Sequence, residues 1–397
     1  MIPLTLAALL LLSLPAAPAS AQEPAPAEKQ EKQEKQEKQK KPKREPGQPK
    51  RDPRVKLAEP WPDADKLRER AAEAEALKLF ATDEPLAFEL TADFKAINKD
   101  RNPNSVKRFP AVLKVAADDG QERTLEVNLR SRGHSRLVFN CGFVPIGVEF
   151  PPKPEMKGTP FEKQDSLKLG THCHGSKEYE QYALREYLAY RIFNLFTPRS
   201  FRARLAKARY VDVKTGQLLF DKYAMFLEAE SDVARRLEGR IATLPRVVFR
   251  DLEQDSLTLM MLFEYMIGNT DFSIYALHNV RLVQDSKRTL FSVPYDFDYG
   301  GLVDARYAVP AKALNLKTVL ERAYRGPCRT LEELQPYVAT FLEKKPQVMA
   351  LVDSVPGFDN GSRRHAKAYL EEFYATIGNR GSLKRELVDS CTKKAGM

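Results

Sequence analysis

Beyond its first 21 residues the 397-residue chain has no apolar run long enough to cross a bilayer, so no integral membrane span is expected. Beyond residue 62 it shows no internal repeat. Residues 1–21 contain no charged side chain, and residues 22–62 contain almost nothing apolar. The residue directly after Ala21 is Gln22 and not a cysteine, so no lipid anchor is expected at that point. There is little excess charge where it would matter for nucleic acid. Lys+Arg outnumber Asp+Glu by 64 to 54, but residues 22–56 alone hold 12 basic and 7 acidic residues. The remaining half of the surplus is spread over about 340 residues, so no nucleic-acid partner is expected. A hydrophobic fraction of 43% and a charged fraction of 30% exclude collagen-like and wholly disordered chains.

What is present at the start is an apolar run, Leu4 to Leu14, then Pro15 and the small residues Ala19-Ser20-Ala21. This pattern predicts a signal peptide over 1–21, cleaved after Ala21, although no Lys or Arg precedes the run. The alternative, an uncleaved anchor, requires a longer apolar run of about 20 residues. The protein is therefore expected to be exported, to a periplasm or the extracellular space. Residues 22–62, with Glu-Lys-Gln triplets, a lysine run and several prolines, predict a disordered tether. The four cysteines, Cys141, Cys173, Cys328 and Cys391, allow three pairings in an oxidising compartment. The more local choice is Cys141–Cys173 with Cys328–Cys391. Thr171-His172-Cys173-His174 lacks the four spaced ligands of a structural metal site.

Alternating or short apolar runs predict strands near 86–90, 111–115, 124–129, 146–150 and 166–169. Leu184, Leu188, Ile192 and Leu195 recur at helical spacing and predict a helix over 177–196, ended by Pro198. Strands at 203–213 and 223–227 follow, then helices at 231–239 and 251–267 and a hairpin at 280–282 and 290–293. From about 311 the chain reads as mostly helical. The expected class is α+β in two lobes: a β-rich lobe over 63–228 with one helix, and a mainly helical lobe over 229–397.

The chemistry concentrates between the helices of the second lobe. Asp271, His278-Asn279 and Pro294-Tyr295-Asp296-Phe297-Asp298 place two acidic groups and an amide on loops and a strand end. Phosphoryl transfer needs such oxygen ligands for a divalent cation and a carboxylate to orient the acceptor hydroxyl. A bland alternative stays open for each: Asp271 as a turn cap, Asn279 as a turn residue, and Arg132 and Arg136 as solvated loop charges.

These residues resemble the signature of CotH-type spore-coat atypical protein kinases, and more loosely that of HipA-type kinases. Leu129-Arg130-Ser131-Arg132-Gly133-His134-Ser135-Arg136 resembles the family's Arg-Gly-x-Ser-Arg element, and Leu184-Arg185-Glu186-Tyr187 its first-lobe helix. Ala224-Met225-Phe226-Leu227-Glu228 resembles the strand that enters its inter-lobe connection. The resemblance runs from about 124 to 310. It implies a two-lobed atypical kinase-like fold that binds ATP and Mg²⁺ or Mn²⁺ and phosphorylates a protein Ser or Thr. It implies Asp271 as catalytic base, Asn279, Asp296 and Asp298 as metal ligands, and Arg132, Ser135 and Arg136 beside the phosphates. Glu228 would lie at the nucleotide hinge. The chain departs from the family where a lysine-bearing strand is expected: 141–150 contains no Lys. Lys168, paired with Glu186, is the expected substitute, with an ordinary strand-to-helix ion pair as the alternative. A nucleotide-binding module without catalysis, of the pseudokinase kind, and a structural cell-envelope protein are the competing functions.

Overall fold

Strand alternation builds the first half of the fold. In β1 (Leu86–Ala92), β2 (Phe109–Ala116) and β3 (Glu122–Ser131) every second side chain is buried, among them Phe88, Leu90, Leu113, Val127 and Leu129. The computed structural model describes residues 55–392; the expected signal peptide and most of the expected tether lie outside them. With β4 (Ile146–Glu149), β5 (Ser166–Gly170), β6 (Ala203–Asp212) and β7 (Leu218–Leu227), these strands close a seven-stranded barrel in the order β1-β2-β3-β4-β5-β7-β6. A parallel pairing of β1 with β6 makes the closure, Leu86 lying opposite Ala206. Phe88, Phe161 and Phe226 meet in its core, with ring centroids 5.3 and 5.1 Å apart.

The helices are nine among the described residues: α1 (Val55–Ala58), α2 (Ala64–Glu75), α3 (Phe94–Lys99), α4 (Lys177–Phe196), α5 (Glu230–Arg236), α6 (Gln254–Ile267), α7 (Leu331–Ser354), α8 (Asn360–Gly378) and α9 (Arg380–Leu383). A small sheet in the order β10-β9-β8 uses Arg240–Ile241 (β8), Val280–Gln284 (β9) and Leu290–Pro294 (β10). α6 ends at Gly268, whose φ of +65° favours glycine and whose added Cβ would collide with the Tyr369 hydroxyl.

This architecture corrects the expected two-lobed kinase-like fold. The β-rich half is a closed mixed barrel, and several helices precede or interrupt it. The helix assigned to the first lobe, α4, packs its apolar side chains into the helical core. Phe193 stacks on Phe263 of α6 at 4.4 Å and Phe196 on Phe341 of α7 at 4.0 Å. Two further readings change. The chain expected to be mostly helical from about 311 is so only from Leu331; 311–330 contain one 3-10 turn, Lys312–Leu314, and otherwise irregular chain. The end of the expected tether is ordered against the fold: Arg240 donates to Leu57 O and Glu59 O and lies 3.9 Å from the Trp61 ring centroid.

Both local disulfides are present, Cys141–Cys173 and Cys328–Cys391. Among the described residues no helix is long and apolar enough to cross a membrane. Replacing Cys141 and Cys173 together by Ser is expected to lower stability by about 2–4 kcal/mol, because the bridge closes a loop of moderate length. Denaturant titration of the purified variant checks this, and a loss under about 0.5 kcal/mol would reject it.

Candidate functional site

Three loops converge on a cavity of about 190 Å³, lined by Arg132–Arg136, Pro145, Asp271, His278, Asn279, Asp296, Asp298 and Tyr299. The first leaves β3. Gly133 turns it at φ +94°, and Arg132 N donates to Pro145 O. Arg101 clamps the far end by donating to Leu137 O and Cys141 O, and the Cys141–Cys173 bridge ties that end to the segment before α4. The second loop leaves α6 and carries Asp271, His278 and Asn279. The third leaves β10 and carries Asp296, Asp298 and Tyr299.

Asn279 (φ +52°) and Asp296 (φ +66°) both adopt left-handed backbone, which Asn and Asp tolerate better than most residues and which concentrates at functional sites. Tyr295 N donates to Asn279 O, so the two loops are joined there, and Asp296 N donates to the Tyr190 hydroxyl at 2.8 Å. Asp271 is held on every side. Its N–H donates to Asn269 Oδ1 and its carbonyl accepts from Asn279 Nδ2. Its carboxylate meets His278 Nε2 at 2.9 Å and Asn279 Nδ2 at 3.1 Å. The hydrogen bond to Asp271 raises the His278 imidazole above its ordinary value.

Beside this loop, the carboxylates of Glu186 (on α4), Asp296 and Asp298 offer oxygens within 4.8 Å of one another. Arg136 faces all three, at 3.8, 3.6 and 3.3 Å. Burial drives the Glu186 and Asp298 carboxyls above the ordinary carboxylate range, against the pull of Arg136. Burial alone would depress the Arg136 guanidinium; Asp298, Tyr307, Glu186 and Asp296 outweigh it and keep it charged. With Asp271 and Arg132 included, four carboxylates stand against two guanidiniums and the His278 imidazole, so acidic groups outnumber basic ones in the site. The donors are oxygens, the set that suits Mg²⁺ or Mn²⁺. Asp296, Asp298 and Asn279 Oδ1 would hold such an ion, since Asn279 Nδ2 is already bonded to Asp271, and Glu186 lies within reach of the same position.

The structure thus brings together Asp271, Asn279, Asp296, Asp298, Arg132, Ser135 and Arg136. Two expected residues do not join them. Lys168 bonds Glu230 Oε1 at 2.9 Å, not Glu186, and lies 4.5 Å from the Tyr295 ring centroid. Its β5 register, opposite Leu227 at the end of β7, sets it beside the segment that begins α5, while Glu186 faces Arg136. Glu228 is buried and accepts from Arg202 N and from Arg236 Nε and Nη2, which makes it a strut between β7 and α5. The His172-Cys173 pair is structural: Cys173 is bridged, and His172 stacks on Phe143 at 4.7 Å with burial pushing its imidazole down to about 3.

His278 acts through its side chain, which holds Asp271. The sequence reading missed three hydroxyls. Tyr190 holds Asp296 N, Tyr299 bonds Ser135, and Tyr307 bonds Asp298. Their one available signal was chemical: a buried tyrosine needs a partner for its hydroxyl.

Glu264 anchors the mount. Its Oε2 accepts from Asn269 Nδ2 at 2.9 Å, and burial pushes its carboxyl up to about 8. The unfolded chain loses that proton near pH 4.5 and the folded chain near pH 8, so between these values the folded state binds more protons and stability falls as pH rises. Glu264→Gln keeps an acceptor for Asn269 and removes the titration. Its stability relative to wild type is expected to improve from pH 5 to pH 8 by on the order of 1–3 kcal/mol. Parallel stability curves for the two proteins would refute this.

No protein-family model matches the chain, and no curated protein sequence matches it either.

Proposed function

We propose that this site transfers the terminal phosphoryl group of ATP, with Mg²⁺ or Mn²⁺, to a hydroxyl acceptor, a protein Ser or Thr, and that the protein does so after export. The observation that carries the reading is the convergence of Asp271, Asn279, Asp296 and Asp298 on one cavity opposite Arg132, Ser135 and Arg136. The reading rests on this donor set and not on the architecture around it. The cation would supply charge to offset the phosphate oxygens. Asp271, its carboxylate aimed by His278 and Asn279, accepts the proton of the acceptor hydroxyl as that oxygen bonds to phosphorus and the bond to ADP breaks. Arg132 and Arg136 present guanidinium planes suited to phosphate oxygens.

A second reading, nucleotide binding without transfer, is favoured by the engagement of Lys168 with Glu230 outside the cavity. One experiment tests both. The secreted protein is melted with millimolar ATP and Mg²⁺ or Mn²⁺, and transfer of labelled γ-phosphate to itself or to a generic Ser/Thr protein is measured. A raised melting temperature with transfer supports the first reading, and a raised melting temperature without transfer supports the second. No shift with either metal rejects both.

A further inference from the structure

The loop that carries Asp271 is gripped from behind by an arginine that makes no ion pair among the described residues. Arg325 Nη1 donates to Thr270 O at 2.5 Å and to Phe272 O at 2.6 Å, the two carbonyls that flank Asp271. Its guanidinium lies 4.8 Å from the Phe272 ring centroid. Burial lowers its proton affinity, and the charges of Glu264 and Asp271 act on it at longer range. This half-buried cation gives its hydrogen bonds to two backbone carbonyls of one peptide segment.

Arg325 itself sits on irregular chain, so its position must be fixed by other means. Gly326 O accepts Thr392 N–H at 2.9 Å, Pro327 bridges to Thr392, and Cys328 is bonded to Cys391. The neighbouring Arg322 donates to Met266 O, near the end of α6. The chain near residue 391 is thereby fastened to the segment that grips the Asp271 loop.

We propose that Arg325 is a positioning residue for Asp271 and that the Cys328–Cys391 bridge fixes the segment from which it acts. The kinetic half of this proposal rests on the phosphoryl-transfer reading; the structural half does not. A carboxylate that takes a proton in the transition state must stand within about 2.6–3.2 Å of the hydroxyl, and a misplacement of about 1 Å can lower the rate roughly 100-fold. Arg325 touches neither Asp271's carboxylate nor the cavity, so it acts through the backbone.

The test compares wild type with Arg325→Gln, Arg325→Lys and the double variant Cys328→Ser/Cys391→Ser, all as full secreted chains. Hydrogen exchange is measured on 270–279 and on 184–193 of α4 without ligand, together with the Kd for ATP and Mg²⁺ or Mn²⁺ and the kcat for transfer. Arg325→Gln is expected to speed exchange in 270–279 at least tenfold while 184–193 is unchanged. Its Kd stays within about threefold of wild type and its kcat falls at least tenfold. Arg325→Lys recovers part of both losses, because an ammonium still donates. The double Ser variant moves exchange and kcat the same way by about two- to fivefold. Unchanged exchange in 270–279, or an equal rise in both segments, overturns the proposal, as does a kcat loss in Arg325→Gln matched by an equal loss of affinity. A wild-type protein that binds no nucleotide would defeat the phosphoryl-transfer reading, and the exchange data would still decide whether Arg325 holds the loop.

Discussion

Asp296→Asn is expected to abolish stabilisation by ATP with Mg²⁺ or Mn²⁺, whereas Asp271→Asn leaves it intact and stops transfer. A ligand at 100 times its Kd stabilises a protein by about 2.7 kcal/mol, so the lost shift is readily measured. The Asn replacement isolates charge from shape. Position 296 has φ +66°, and asparagine accepts that backbone at least as well as aspartate, while alanine would add strain. The Asp296 N–H keeps its bond to Tyr190 in the variant, because that contact is a backbone one. What disappears is one carboxylate oxygen donor from a site in which acidic side chains outnumber basic ones. Asp271 is different in kind. His278 and Asn279 aim its carboxylate, and its amide counterpart cannot accept the acceptor's proton. Melting curves and labelled transfer, run on both variants, check the split. The assignment of roles fails if Asp296→Asn retains the full metal-dependent shift, or if Asp271→Asn still transfers phosphate near the wild-type rate.

Arg136→Met should be among the most damaging single substitutions for stability. Among the described residues, Arg136 is the one side chain whose charged nitrogens face Glu186, Asp296 and Asp298 together, at 3.3–3.8 Å. Glu186 and Asp298 are almost wholly buried. Removing one partner of a buried charged group typically costs about 3–5 kcal/mol, since the other is left uncompensated. The direction with pH follows from the carboxyls. Their folded-state values are raised, so the penalty for burying them ionised grows as pH climbs above the ordinary carboxyl range of about 4. Without Arg136 those values rise further. The loss is therefore expected to be large at pH 8 and small near pH 5, by chemical denaturation at the two pH values. Equal losses at both would contradict the account. Millimolar Mg²⁺ should restore part of the stability at pH 8, because a cation can take over the neutralising role.

Much of the secondary structure was legible because it rests on local periodicity. The alternation in 86–90 and 124–129 and the helical spacing of Leu184, Leu188, Ile192 and Leu195 are one-dimensional signals, and β1, β3 and α4 follow them. Closure of the barrel was not legible. Alternation states which face is buried but not which strand lies alongside, and β1 pairs with β6 across 120 residues, from Leu86 to Ala206. The same limit explains α4. Its apolar residues announce a buried helix without saying which core receives them. In the site, loop carboxylates and amides were legible from residue type and spacing. Lys168 was misread because its partner depends on register: β5 pairs with β7, so Lys168 meets Glu230. The roles of Tyr190, Tyr299 and Tyr307 were hidden because a buried ring at helical or loop spacing looks the same whether or not its hydroxyl holds a site residue.

The pairing of β1 with β6 also sets a timetable for the growing chain. At synthesis rates of roughly 5–20 residues per second, the 120 residues between Leu86 and Ala206 take roughly 6–25 s to appear. Once β3 is complete at Ser131, β1 to β3 can form a meander, but β1 has an unpaired edge and the apolar faces of all three lack the rest of their enclosure. Such edges invite pairing with other chains. The barrel is therefore a late-completing element, and substitutions that weaken β6 or β7 should reduce yield during production more than they reduce the stability of molecules that have already folded.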